Sequence, residues 1–379
     1  MLLLNYYLLA AFLFLSTITS GADLLTVDGR WVSGDARAAG GKLTVGRAVV
    51  PFDRIISLRL SEAAGSGSVE QAILFRSRDM LTGDLGSIQS ERITFESTLL
   101  GSLKISSKDV RVITLEPMSL ANLVLNAEGP AGAKLSNGDF VEGKVIWISS
   151  RTVGIKVRKR ILKLPRERTT LVRFPSGKPP APEGRSLQFA RLVDGSRISG
   201  ELVSISKGRL ELKSKSFGTA NFDIAGVRKL WSEGGPLVPL STLKPVEVRQ
   251  IAQFDETFRW RPDRNLVGAV LSIGGREYER GLGCHSRCEL EYHLGGKWSA
   301  FVAEIGIDDY ARPRGEVVCR VQVDGKTRFE SGLITGRDQP KTLRADLRGA
   351  RRLRLVVDFG PNGSSSGDHA DWGLAVLVR

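Results

Sequence analysis

Apolar and polar residues alternate one by one along most of this chain of 379 residues, with no sustained helical period. Such alternation puts successive side chains on opposite faces of a strand, so the pattern predicts an all-β protein. In the first two thirds the strands are short and one phrase recurs. It reads Val27-Asp28-Gly29-Arg30-Trp31-Val32-Ser33-Gly34, then Leu135-Ser136-Asn137-Gly138-Asp139-Phe140-Val141-Glu142-Gly143, then Leu192-Val193-Asp194-Gly195-Ser196-Arg197-Ile198-Ser199-Gly200-Glu201-Leu202. A degenerate copy, Arg78-Asp79-Met80-Leu81-Thr82-Gly83-Asp84-Leu85, lacks the turn glycine. Asp-Gly and Asn-Gly supply the positive backbone angles of a tight hairpin. The second glycine marks a bulge or a sharp bend of the strand.

Repetition at about 50 to 60 residues means several similar small units. We place β repeats at residues 23–61, 72–117 (the degenerate copy), 132–174 and 188–233, with a Pro-rich linker at 175–187 and a different C-terminal unit at 245–379. Each repeat holds about five short strands, which predicts small barrel-like units of the Sm-like or SH3-like class. Ser61 to Ser68, Gly129-Pro130-Ala131-Gly132 and Pro175 to Pro182 have linker composition and separate the copies.

Charge and cysteine content change this picture in a few places. The formal charge is +14, which suits an acidic partner such as an anionic polymer, a cell-wall surface or nucleic acid, beside the plainer reading of a basic protein with no polyanion ligand. The third repeat concentrates it: Arg151, Lys156, Arg158, Lys159, Arg160, Lys163, Arg166, Arg168 and Arg173 are opposed in their span by Glu167 alone. Interleaved Ile155, Val157, Ile161 and Leu164 make these basic-outward strands, either a solvated face or a docking patch for phosphate or uronate polymers. Few aromatics interleave with the charges, so stacking of nucleic-acid bases is not favoured. From Leu2 to Ser16 the chain is uncharged and nearly all apolar, followed by small residues at Ser20, Gly21 and Ala22. Residues 1–22 therefore read as a secretory signal or an uncleaved anchor, predicting a secreted, periplasmic or cell-envelope protein. The three cysteines, Cys284, Cys288 and Cys319, cannot all pair within one molecule, and Cys288 and Cys319 alternate inward, as a bridge or as buried thiols.

From about Lys244 the strands lengthen, as in Leu290 to Leu294, Phe301 to Ile305 and Leu353 to Asp358. With Asp-Gly and Gly-Gly turns between them, this region reads as a sandwich of two antiparallel sheets. Ile273-Gly274-Gly275-Arg276-Glu277-Tyr278-Glu279-Arg280-Gly281-Leu282-Gly283-Cys284-His285-Ser286, Gly306-Ile307-Asp308-Asp309, Val321 to Lys326, Phe329-Glu330-Ser331-Gly332 and Gly367-Asp368-His369-Ala370-Asp371-Trp372 follow one another in the order of a known family. This part of the chain resembles the NPCBM domain, the carbohydrate-binding module associated with glycoside hydrolase family 98. The resemblance implies a galactose-binding-like jelly roll. It departs from the family pattern where Gly373 follows Trp372 and where Cys284 replaces a small apolar residue.

The resemblance draws carbohydrate-binding candidates from the loop motifs: His285, Asp308, Asp309, His369, Asp371 and Trp372, with Tyr310 as the aromatic platform. An aromatic face covers the apolar C–H groups of a sugar while fixed polar groups bond its hydroxyls. Against this stand structural roles: Asp308 and Asp309 could cap a turn or hold a structural Ca²⁺, and Trp372 could belong to the core. No cofactor is required. Gly363-Ser364-Ser365-Ser366-Gly367 fits a nucleophile-elbow pattern near His369 and Asp371, but that elbow needs a strand-to-helix turn and partners from distant segments. Cys284, His285 and Cys288 make only half a zinc site.

The sequence thus predicts a non-enzymatic, exported carbohydrate-binding protein, whose C-terminal domain contacts a glycan or cell-surface polysaccharide and whose repeats act as spacer or dock. An envelope protein-assembly module is the second reading, and a cryptic glycoside hydrolase the least favoured.

Overall fold

The computed structural model describes residues 21–60, 68–69, 71–119, 122–123, 126–175, 186–216, 218–251 and 258–379. The predicted signal, apart from Gly21 and Ala22, and nearly all of the Pro-rich linker lie outside them. Regular structure is almost entirely β-strand, joined by single 3-10 turns. No helix among the described residues is long and apolar enough to cross a membrane.

Each repeat follows the same path. In the fourth, Leu187–Leu192 turns through Gly195 (φ 90°) into Arg197–Ser206, followed by Arg209–Ser214, Gly218–Asp223, a 3-10 turn and Val227–Glu233. Gly29 and Gly138 take the same left-handed turn in the first and third repeats, and in the degenerate copy Arg78 holds it at φ 73°. The second glycine is needed for a close crossing. A Cβ on Gly83, Gly143 or Gly200 would fall 2.1, 2.6 or 2.6 Å from the carbonyl oxygen of Glu96, Lys156 or Lys213 respectively, so the strand bends where a neighbour passes over it. Leu187–Leu192 pairs with both Arg197–Ser206 and Val227–Glu233, yet the units do not close into the predicted barrels. Their sheets continue into one another instead: Ser57–Arg59 of the first repeat pairs with Val227–Glu233 of the fourth, and Val110–Thr114 of the second with Thr169–Arg173 of the third. One apolar core, including Leu58, Phe75, Phe95, Val172 and Leu230, runs through all four units.

The C-terminal region is a two-sheet sandwich. One sheet runs Arg261–Pro262, Gly281–His285, His369–Val378, Ala300–Ile307, Lys341–Asp346; the other runs Glu247–Gln250, Cys288–His293, Arg352–Phe359, Glu316–Val323, Lys326–Thr335. Leu237–Pro239 also pairs with the final strand, so the first sheet begins upstream of the boundary expected at residue 245. Between the sheets lie Trp372, Tyr292, Phe301 and Leu355, and all three cysteines are buried free thiols. Cys288 and Cys319 flank Val357 on opposite sides of one strand, which holds them apart.

The outer face of the first sheet is covered by the repeats. Leu25, Ile56 and Leu237 pack on Leu271, Tyr278, Val302 and Val376. Within this apolar contact sits Glu304, 1% exposed, accepting hydrogen bonds from Tyr278 Oη (2.9 Å), Trp31 Nε1 (3.2 Å), Arg276 Nη1 (3.3 Å) and Thr342 Oγ1 (3.3 Å). Beside it the Arg280 guanidinium bonds Glu233 of the fourth repeat (Nε to Oε1, 2.8 Å) and Asp263 (2.6 Å). Burial disfavours the Glu233 carboxylate, but Arg280 outweighs it with Arg78 and Trp231, and the pKa falls to about 2.

Removing Arg280 leaves that charge buried and unpaired. Arg280→Met should lower stability at pH 7 by about 3–5 kcal/mol in thermal or denaturant unfolding. Because the folded-state pKa of Glu233 is depressed, the pair's contribution is complete above the ordinary carboxylate range and is lost as pH falls through about 2. The gap between wild type and variant should close in that acid window.

Candidate functional site

The pairing of Gly281–His285 with the final strand sets His285 opposite His369 at the loop end of the sandwich. Two further rings join them. Phe258 stacks on His285 with centroids 4.2 Å apart, His285 meets His369 edge-on at 5.5 Å, and Tyr310 stacks on His369 at 5.9 Å and 24°. The result is a row of four rings. Tyr310 is 64% and Phe258 37% exposed, whereas His285 is 7% exposed, so the outer rings form the open surface and the imidazoles its floor.

A buried polar frame fixes this row. His285 Nδ1 lies 2.6 Å from the Ser286 carbonyl oxygen. Asp368, fully buried, accepts hydrogen bonds from Ser286 Oγ (2.5 Å) and Glu316 N (2.9 Å), and burial raises its pKa to about 6. Burial and the neighbouring His285 lower the pKa of His369, which keeps it neutral at pH 7. Its Nδ1 is enclosed with no hydrogen-bond partner, leaving Nε2 as its polar atom for other groups.

The two loop aspartates hold Tyr310 in place. Asp308, 1% exposed, accepts from Tyr310 N (3.0 Å), Asn265 Nδ2 (3.1 Å) and Ser272 N (3.2 Å). Asp309 accepts from Gly274 N and Gly275 N (both 2.8 Å), Arg312 Nη1 (3.3 Å) and Ser272 Oγ. These donors occupy the carboxylate oxygens, and no cluster of three metal-ligating side chains exists among the described residues.

Other candidates move inward. Trp372 is 0% and Asp371 2% exposed, and with Asp308 they lie beneath the surface. Trp372 fills the core beside Phe301. Asp371 hydrogen-bonds Asp308, and burial followed by that like charge pushes its pKa far up, so Asp371 carries the proton the two share. Tyr310, His369 and His285 thus come together, while Asp308, Asp309 and Asp371 support them from below. Phe258 lies outside the motifs that define the sequence candidates. Asp368, within the final motif, has a role visible only through its contacts with two distant segments. The Gly363 to Gly367 stretch joins strand Arg352–Phe359 to strand His369–Val378, so no nucleophile elbow forms there.

Residues 238–378 match the NPCBM/NEW2 domain, and the C-terminal part of the chain is a domain of that family. The chain is 34% identical over 112 residues to a Renibacterium salmoninarum protein bearing the name of an endo-alpha-N-acetylgalactosaminidase, covering 29% of this chain and 7% of that one. It is 35% identical over 121 residues to alpha-1,3-galactosidase B of Akkermansia muciniphila, covering 31% and 15%. The chain thus spans only a small part of either relative. Among solved structures, a CBM51 module of Clostridium perfringens GH95 in complex with methyl-galactose is 25% identical, covering 38% of this chain and 99% of that one with a TM-score of 0.35. Tandem CBM51 modules of a Streptococcus pneumoniae family 98 glycoside hydrolase are 12% identical, covering 94% and 88% with a TM-score of 0.33.

The shared proton gives a test. Asn at position 371 can still donate to Asp308 and accept from Ser272, so Asp371→Asn should stay within about 1 kcal/mol of wild type near pH 5. A raised folded-state pKa means that stability from this group is complete below the ordinary carboxylate value and declines as pH rises toward the elevated one. Asp371→Asn should therefore gain on wild type in thermal unfolding as pH rises above the ordinary carboxylate range. A variant equally destabilised at every pH would contradict the shared proton.

Proposed function

We propose that the C-terminal domain binds glycan through the exposed face of Tyr310, with His369, His285 and Phe258 completing the surface. The observation that carries this reading is the row of four rings at the loop end of an NPCBM/NEW2 domain, with Tyr310 open to solvent and held from behind. A pyranose presents an apolar C–H face to such a ring, while imidazole nitrogens at its edge can bond hydroxyls. The relatives named above are called after galactose-type substrates, so galactosyl or N-acetylgalactosaminyl residues are the sugar class we assign.

The protein acts without catalysis in this reading. Hydrolysis of a glycosidic bond needs two carboxyl groups flanking an open cleft, whereas Asp308 and Asp371 are buried and share a proton. The repeats serve as spacer or dock, in a protein exported by its N-terminal segment.

Calorimetric titration of the full chain with methyl β-galactoside and N-acetylgalactosamine should give Kd values of about millimolar order, typical of a small shallow site. Tyr310→Ala should weaken binding by about tenfold or more while leaving the melting temperature nearly unchanged, since the ring is mostly exposed. Affinity should be constant above pH 7, where His369 is neutral, and change only below its ordinary value of 6.5. Absence of binding by both sugars, or full binding by Tyr310→Ala, would reject the assignment.

A further inference from the structure

The third repeat carries a surface feature that its fold does not require. In strand Lys144–Ile148 the register shifts between Val145 and Trp147, placing Trp147 opposite Gly154. A Cβ on Gly154 would lie 2.3 Å from Trp147 Cε2 and 2.5 Å from Cζ2, so the indole rests against bare backbone that only glycine provides. The ring is half-buried, and its Nε1 donates to Thr152 Oγ1 at 3.4 Å. The same shift occurs in the second repeat between Leu85 and Ser87, and in the fourth between Leu202 and Ser204. There the facing pairs are Ser87 with Thr94 and Ser204 with Glu211. Polar pairs therefore satisfy this position in the same architecture, and the tryptophan-on-glycine pair is an addition to it.

Basic side chains frame the ring. Strand register places Lys163 opposite Gly154, and Lys156 between Lys144 and Ile161, on the face that carries Trp147. Arg158 and Lys159 form the adjoining turn, and with Arg160, Lys156 and Lys163 they are exposed. Glu91 pairs with Lys108 and Lys144, which leaves the charges nearest the outer edge unopposed by that carboxylate. Arg160–Pro165 is the edge strand of its sheet, so an extended chain can lie along it.

The geometry points to a second binding site, in which Trp147 on Gly154, flanked by Lys156 and Lys163, is the platform for an anionic polysaccharide. A flat indole meets the C–H face of one pyranose, and the ammonium groups beside it meet carboxylate or sulfate on that sugar or its neighbours. Single-stranded nucleic acid is disfavoured because it relies on successive stacking platforms, and this face offers one ring. The site is separate from Tyr310 and stands independently of the glycan reading for the C-terminal domain.

The test uses the full chain and four probes: a heparin octasaccharide, neutral malto-octaose, polyphosphate of matched charge and oligothymidylate. The heparin octasaccharide should bind more tightly than the other three. Trp147→Ala should weaken its binding about tenfold, Trp147→Phe should retain most of it, and Tyr310→Ala should leave it unchanged. Lys156→Glu with Lys163→Glu should weaken it and reduce the dependence of log K on log salt. Both lysines are exposed, so this variant decides the matter even if Trp147→Ala fails to fold. No binding of the heparin octasaccharide, equal binding of polyphosphate or oligothymidylate, or unchanged affinity in the lysine variant would overturn the site. A folded Trp147→Ala with wild-type affinity would do the same.

Discussion

The pairing of Gly281–His285 with His369–Gly373 sets the geometry on which both ends of the C-terminal domain depend. At one end Gly281 faces Gly373, and a Cβ on Gly281 would sit 2.3 Å from the Trp372 carbonyl oxygen. A Cβ on Gly373 would press into the Tyr278 ring at 2.6 Å, the ring whose hydroxyl reaches the buried Glu304. That glycine seam lets Arg280 and Tyr278 settle against the repeats. At the other end the same register places His285 across from His369 and buries Trp372 between the sheets. A slip of one residue would exchange the core and surface faces, burying polar groups without partners and dispersing the four rings.

The two surfaces of the protein follow different rules. The loop-end site is nearly neutral in design: its carboxylates are spent on N–H and O–H donors, and burial holds the His369 imidazole uncharged. The third-repeat face is dominated by cations around one indole. Between them lies the contact of Leu25 and Ile56 with the sandwich, braced by Glu304 and by Arg280 with Glu233. Apolar area supplies the attraction there, and the buried ion pairs fix the register, since each is costly when mismatched.

Much of this could be read from the chain, for reasons specific to particular residues. Asp28-Gly29 and Asp194-Gly195 disclosed the repeated hairpins because their backbone angles demand such residues, and Gly83, Gly143 and Gly200 disclosed the crossings. Alternation identified the strands, and the ordered motifs from Ile273 to Trp372 identified the sandwich. What stayed hidden was pairing between segments distant in sequence. The continuation of Ser57–Arg59 into Val227–Glu233 replaces the barrel closure that each repeat alone suggested. Asp371 and Trp372 share a motif with His369, but the long final strand carries them inward, and Trp372 takes the core position that the sequence also allows. Phe258 enters the site through space alone, and Trp147 is set apart only by its contact with Gly154.

The central claim is that the ring row at the loop end holds a sugar. A crystal of the full chain soaked in methyl β-galactoside tests it most directly. One pyranose should appear with its C–H face on Tyr310 and a hydroxyl within hydrogen-bond distance of an imidazole nitrogen of His369 or His285. A sugar seated elsewhere on the domain, with Tyr310 uncovered, would contradict it.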